Sequence, residues 1–387
     1  MPFQQDTRID VPHDIITGLA EDWPFSDEMN PPAINWSNKQ INEAGKFLAR
    51  SDQSSDDPDT VKMSLIVSQW RSVHEYPLQR VMSILRRQVN SRGWMTATVS
   101  GRTKRLRSIV AKLVRTPSMM LSTMQDLGGC RVILDTIEQV ESLAADVRSR
   151  LVNQLSRGGE IREYNYISKP KSDGYRSIHF VVRYQSTSKE HDVLRTEIQI
   201  RTLLQHRWAT AVETVDLFTG QTLKTGGGDA RWKRFFMLTG SLFALKENRE
   251  TVSGTPGVAE LKSEASALAK ELQVLDKLQG WSNVMRSMLE VHGLSLVHYF
   301  LVELDIDSKT TRIWSFSGSH TEEAHLNYRF LEQANANLPN RSTVLVSANS
   351  LAEVKQGYPG YYGDTQAFLT ELEGALEVSH PRVQWSR

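Results

Sequence analysis

At 387 residues the chain exceeds the usual size of one domain, so two domains are expected. Hydrophobic residues make up 39% of it, with a mean hydropathy of -0.40, which excludes a disordered chain. Lys plus Arg number 46 against 45 Asp plus Glu, a net charge of +1, so no global field marks a polyanion partner; the single Cys130 excludes a disulfide framework and a cysteine-rich zinc site. The polar start MPFQQDTRID lacks the apolar core of a signal peptide, and no apolar run reaches spanning length. A cytoplasmic protein without a membrane partner is expected.

Residues 1–60 read as a polar extension rich in Asp, Ser, Asn and Pro, ending in the loop-like run SDQSSDDPDT. The main domain is expected over 61–249. It opens on a helical pattern running to about residue 90, with Pro77 at a helix start or kink. Within it WRSVHEYPL sets Trp70, Arg71 and His74 at helical spacing, a packing pattern more than a site. The stretch TVSGTPGV around Gly254 breaks the pattern, and residues 250–284 read as a linker followed by a helix with Leu261, Ala265, Leu268, Leu272 and Leu275 on one face. Over 285–387 a smaller α/β domain of regulatory type is expected. LVHYFLVELDIDSKTTRIWSF forms two strands about an Asp305–Lys309 turn, STVLVSA a third, and DTQAFLTELEGAL a closing helix.

Chemistry-bearing residues concentrate between Gly101 and Glu213. GRTKRLRSIVAKLVR places Leu106, Ile109, Val110, Leu113 and Val114 at helical spacing and carries six cations with no acid. A solvated basic face is the plain reading of such a run. Arg102 and Lys104, however, are expected at the helix front, where cations oppose the macrodipole unless an anion is bound there. MQDLGGCRVILD sets Asp126 and two glycines before a strand. VLRTEIQIRT alternates strictly, with Leu194, Thr196, Ile198 and Ile200 on one face and Arg195, Glu197, Gln199 and Arg201 on the other. In YNYISKPKSDGYRSIHFVVRY, Lys169 and Lys171 supply cations, Gly174 takes a turn dihedral that other residues resist, and Tyr175 presents a ring. His179 and Arg183 share one face of the following strand. A ring flanked by cations at a turn suits a nucleobase with phosphates close by.

These four segments, with YNYISKPKSDGYRSIH third and EIQIRT fourth in chain order and at this spacing over about residues 95–215, resemble the RelA/SpoT synthetase domain of alarmone synthetases. The resemblance implies an α/β (α+β) fold, a mixed β-sheet of nucleotidyltransferase type flanked by helices. It implies an ATP-dependent pyrophosphokinase, transferring the β,γ-pyrophosphate of ATP to the ribose 3′-hydroxyl of GDP or GTP to make (p)ppGpp. Arg102, Lys104, Ser108, Lys112 and Arg131 would then bind ATP, and Asp126 and Glu197 would hold Mg²⁺ and serve catalysis. Lys169, Lys171, Tyr175, His179, Gln199 and Arg201 would bind the acceptor, with the Tyr175 ring as the stacking surface. The chain departs from the family pattern at Asn165, commonly Asp, at Asp173, often Asn, and in the run LLQHRWATAVETVDLF after the strand. No hydrolase half is expected, since His191-Asp192 stands alone. A tRNA 3′ end or an adenosine nucleotide is an alternative acceptor, with Arg105, Arg107, Arg115 and the KRFF run at Lys233 as a docking surface. A non-catalytic nucleotide sensor is the reading of another class, and a homo-oligomer is compatible with either.

Overall fold

The computed structural model describes residues 33–50, 57–184, 194–219, 222–275, 278, 299–305, 310–317, 320–338, 341–347 and 366–377. His191-Asp192 and most of the Asp305–Lys309 turn lie outside them. Helix α1 (Asn38–Leu48) falls in the stretch expected to be irregular. Ser37 and Gln40 close a capping box at its start, and Ile41, Ala44 and Leu48 bury one face, a short period that the surrounding polar residues conceal. The pattern from 61 to 90 is two helices, α2 (Pro58–Ser72) and α3 (Glu75–Ser91), with Pro77 in the first turn of α3. Trp70, Arg71 and His74 are all buried, as a packing role requires.

Next come β1 (Thr98–Thr103), α4 (Leu106–Arg115), β2 (Gly128–Leu134), α5 (Ile137–Arg148), α6 (Val152–Leu155), β3 (Ile161–Asn165), β4 (Ile178–Arg183) and β5 (Arg195–Thr202). The helices α7 (Leu203–Thr219), α8 (Ala230–Lys246) and α9 (Val258–Glu271) follow. The last elements are β6 (Tyr299–Asp305), β7 (Thr310–Phe316), α10 (Thr321–Ala334), β8 (Arg341–Ser347) and α11 (Gln366–Leu376). The expected strands and closing helix of the C-terminal part are present, and α10 is an addition to them.

One expectation is corrected at the basic segment. Arg102 does not stand at the front of a helix; it belongs to β1, whose ladder with β2 pairs Arg102 with Gly129, and α4 starts only at Leu106. Ile109, Val110 and Leu113 bury the stripe of α4, whereas Val114 is exposed.

The sheet order is β3-β4-β5-β2-β1-β8-β6-β7. In the first five strands β2 and β5 are parallel and the other pairs antiparallel, a mixed sheet. Its junction with the C-terminal strands, among the described residues, is the pair Gly101↔Ser347. One face of the five strands buries Cys130, Val132, Phe180, Ile198 and Ile200 against α3 and α5. A second core joins α7, α8, α9 and α11. The turn before β4 docks on that core. Gly174 has φ +94°, and a Cβ there would meet Phe236 O at 3.0 Å and Trp208 Cζ2 at 3.2 Å. Gly174→Ala is therefore expected to lower stability by about 1–3 kcal/mol, read as a fall in Tm.

Candidate active site

Strand alternation and register assemble the site. The residues that face away from the α3/α5 core line up across the sheet in two rows: Ser100, Arg131, Gln199, His179 and Tyr164, then Arg102, Gly129, Glu197, Val181 and Arg162. Gly129 puts no side chain between Arg102 and Glu197, and a Cβ there would approach only Arg102 O, at 3.8 Å. The floor is left open between a guanidinium and a carboxylate.

Asp126, in the turn before β2, is held on both oxygens by lysines: Lys104 Nζ lies 2.9 Å from Oδ2 and Lys112 Nζ 2.9 Å from Oδ1. Burial alone would raise its carboxyl, but the two ammonium charges and their hydrogen bonds bring it down to about 2. Ser108 lies in the first turn of α4, half-buried.

On the neighbouring strands Glu197 Oε1 is 3.0 Å from His179 Nδ1, and Gln199 Nε2 donates to Glu197 Oε2 at 2.8 Å. His179 Nε2 lies 2.8 Å from the Tyr175 hydroxyl. With Glu197 ionised and able only to accept, Nδ1–H donates to it and Nε2 accepts from Tyr175 O–H, which sets the tautomer. Burial opposes ionisation of Glu197, yet His179 and Gln199 hold its carboxyl below the ordinary value against the like charge of Asp126. The two carboxylates thus sense each other.

Tyr175 is half-buried within an aromatic group. Its ring meets His179 edge-on at 5.7 Å and Tyr166 at 6.1 Å, and Lys171 Nζ stands 4.6 Å from the Tyr166 centroid and 4.9 Å from that of Tyr175. Tyr164 stacks on Tyr166 at 6.3 Å and 7°, with its outer side exposed. Asn165 Oδ1 accepts from the N–H groups of Ile167 (3.1 Å) and Ser168 (3.0 Å), and Asp173 Oδ1 from that of Tyr175 (2.9 Å). At these two positions the side chain serves as a turn acceptor, a task Asn and Asp share.

Of the expected acceptor residues, Lys169 stands apart from this group, whereas Arg201 interacts with the Tyr175 side chain. Lys169 is exposed and tied in through its backbone N–H to Asn165 O, 3.1 Å away. Arg201 is buried against His206, and burial followed by the charge of Arg131 pushes its guanidinium below the ordinary range. Motif reading passed over Glu213 of α7, which pairs with Lys224. Burial would raise its carboxyl, but Lys224, Arg131 and Arg102 hold it far below the usual range. It also passed over a cleft lined by Gln125, Arg162, Arg183 and Arg195 beyond the Glu197 row, where Arg183 opposes Arg195 across the ladder. The alternation of β3 and β4 was a signal for it.

Residues 101–215 match the family described as "Region found in RelA / SpoT proteins". Curated relatives include GTP pyrophosphokinase YjbM of Bacillus subtilis, 36% identical over 116 residues, which are 29% of this chain and 52% of that protein. GTP pyrophosphokinase YwaC of the same organism is 30% identical over 118 residues, 28% of this chain and 52% of that protein. The chain spans about half the length of these relatives. Among solved structures, small alarmone synthetase 2 from Bacillus subtilis is 19% identical, with a TM-score of 0.38 over 46% of this chain and 93% of that one.

No helix among the described residues is long and apolar enough to cross a membrane, and no group of three or more His, Cys, Asp or Glu is placed to hold a metal. Two carboxylates suffice for Mg²⁺ when substrate phosphates complete its shell. The donor set of the RelA/SpoT region fits that pattern: two hard-oxygen groups that feel each other's charge, one of them already drawing two cations.

The lysine-held Asp126 has a pH signature. Its folded value lies below the ordinary 3.8, so its contribution is complete above about pH 4 and lost as pH falls through about 2. Asp126→Asn is expected to flatten that acid limb, removing on the order of 2 kcal/mol of pH-dependent stability, measured by denaturant unfolding at successive pH values.

Proposed function

We propose that the RelA/SpoT region is an ATP-dependent pyrophosphokinase that transfers the β,γ-pyrophosphate of ATP to the 3′-hydroxyl of GDP or GTP. The observation that carries this reading is the pair Asp126 and Glu197, coupled in charge and flanked by Lys104 and Lys112 on one side and His179 and Tyr175 on the other. Lys104, Lys112, Arg102, Arg131 and Ser108 bind the donor phosphates and offset their charge. Glu197, fixed at both oxygens, takes the proton of the acceptor hydroxyl as its oxygen bonds to the β-phosphorus and AMP leaves with the electrons of the broken P–O bond. Mg²⁺, held by Asp126 and Glu197 with the phosphates, would supply charge neutralisation on the transferred group. Tyr175, its ring beside Lys171 and its hydroxyl on His179, seats the acceptor base and orients the imidazole. The relatives named GTP pyrophosphokinase support the same reaction.

A second reading keeps the reaction and replaces the acceptor with an RNA 3′ end. It is favoured by the exposed Tyr164 stacked on Tyr166, beside the cleft lined by Arg162, Arg183 and Arg195, since stacking rings with cations suit a single strand. Incubation with γ-labelled ATP and, separately, GDP, GTP, AMP, ATP or bulk tRNA decides between them. Label in a guanosine product is expected, label on RNA establishes the second reading, and no transfer to any acceptor overturns both.

Two variants probe the roles. Glu197→Gln keeps size but loses charge and is expected to cost about 10²–10⁴-fold in kcat; a loss under about threefold removes it from the chemistry. Tyr175→Ala is expected to raise the acceptor KM by the equivalent of about 1–3 kcal/mol. Tyr175→Phe keeps the ring and releases His179, so it is expected to lower kcat with little change in KM.

A further inference from the structure

Glu213 and Lys224 form a second lysine–carboxylate group besides the one at Asp126. Helix α7 follows β5 directly and carries Glu213, whose side chain keeps 28% of its exposure and pairs with Lys224, at 56%. Lys224 lies beyond the matched residues 101–215, on a short turn of 3-10 helix, Leu223–Thr225. The backbone of that turn is fixed by another residue. Asp216, one helical turn after Glu213, accepts the N–H of Leu223 on Oδ1 at 2.7 Å and that of Lys224 on Oδ2 at 3.0 Å. The ion pair is therefore not needed to hold the turn, and a half-exposed pair adds little to stability. Its ammonium stands where a ligand can reach it.

The pair belongs to the donor side. Arg102 and Arg131 share one face of β1 and β2 through the register pairs Arg102↔Gly129 and Ser100↔Arg131, and both act on Glu213. At Lys224 the charge of Glu213 supports the ammonium, while desolvation and the charges of Arg102 and Arg131 take it below the ordinary value. The charge of Arg102 also reaches Lys104, which is held by Asp126. One guanidinium thus links the two lysine–carboxylate groups into a single run of cations. Like charges gathered in this way focus a field that an anion relieves. We propose that Lys224 is a further residue of the donor-phosphate site: without nucleotide it rests on Glu213, and it passes to the triphosphate when the donor binds. This inference rests on the reading that Arg102 and Lys104 receive the donor phosphates.

The test uses the 387-residue chain with Lys224→Met and Lys224→Arg. Affinity is measured for a labelled non-hydrolysable ATP analogue and for inorganic triphosphate that displaces it, alongside thermal melting. Lys224→Met is expected to weaken both ligands by about fivefold or more, a charge-assisted hydrogen bond discounted for a half-exposed lysine. Lys224→Arg keeps the charge and is expected to bind both more tightly than Lys224→Met does. Analogue affinity within about twofold of wild type in Lys224→Met, the range of an ordinary surface charge, overturns the proposal. So does a loss for the analogue without a loss for inorganic triphosphate, which puts Lys224 at the base or sugar. Equal losses in both variants overturn it too, since they report side-chain fit and not charge. If Lys224→Met does not fold, wild type decides: acetylation of Lys224, read by mass spectrometry, is expected to slow when inorganic triphosphate is added, and unchanged labelling overturns the proposal. Absence of analogue binding in folded wild type overturns the donor-site reading and this inference together. Weakened binding in Lys224→Met, with no label transfer to any acceptor by wild type, leaves the inference standing and removes the pyrophosphokinase reading.

Discussion

The parallel pairing of β2 with β5 is the constraint on which the site depends. It sets Arg131 beside Gln199 and Gly129 beside Glu197, and the antiparallel partners β4 and β1 then add His179, Val181, Ser100 and Arg102 to the same rows. Because side chains alternate with period two, a slip of one residue would carry Glu197 and Gln199 into the apolar layer under α3 and α5 and bring Ile198 and Ile200 out. The burial of Cys130, Val132, Ile198 and Ile200 is thus also what aims the carboxylate and the guanidinium across the open slot at Gly129. Core and site are two faces of one register.

Each carboxylate on the polar side has partners that a polyphosphate could take over. Asp126 binds two lysines, Glu197 a histidine and an amide, and Glu213 a lysine near Arg131 and Arg102. Such pairs keep half-buried charges compensated without a ligand, where a lone buried charge would cost several kcal/mol. In the reaction proposed above, nucleotide binding would be an exchange of partners: lysines would leave Asp126 for phosphate oxygens, and the freed carboxylate could turn to a cation. The electrostatics that stabilise the folded site are thus also those the proposed anionic substrate would draw on.

The C-terminal part touches this arrangement through few but buried polar contacts. Glu332 lies over two hundred residues from Leu106 and takes its N–H, while Arg71 ties the same carboxylate to α2. Removing one partner of such a triad strands a buried charge, so the side chains of Glu332, Arg71 and Tyr328 hold the contact as a unit. Helix α11 is anchored by the apolar contacts of Phe368, Leu369 and Leu372 in the core of α7 to α9 and by Glu371, which pairs with Arg207 and Lys246.

Much of the candidate site was legible in the chain because its signals are local. Alternation in VLRTEIQIRT named both faces of β5, the Asp-Gly turn located Gly174, and the spacing of Ile109, Val110 and Leu113 gave the buried stripe of α4. Pairing energies between distant segments leave no such local trace. Only the sheet ladder decided that Arg102 stands on a strand, only the packed turn put the Tyr175 hydroxyl on His179, and only the fold around Asp126 turned two cations of a basic helix segment into its partners. Periodicity determined which side chains face together within an element. Which elements meet, and so which charges neutralise one another or wait for a ligand, was decided by tertiary contacts whose partners lie tens to hundreds of residues apart, as Glu332 on Leu106 does.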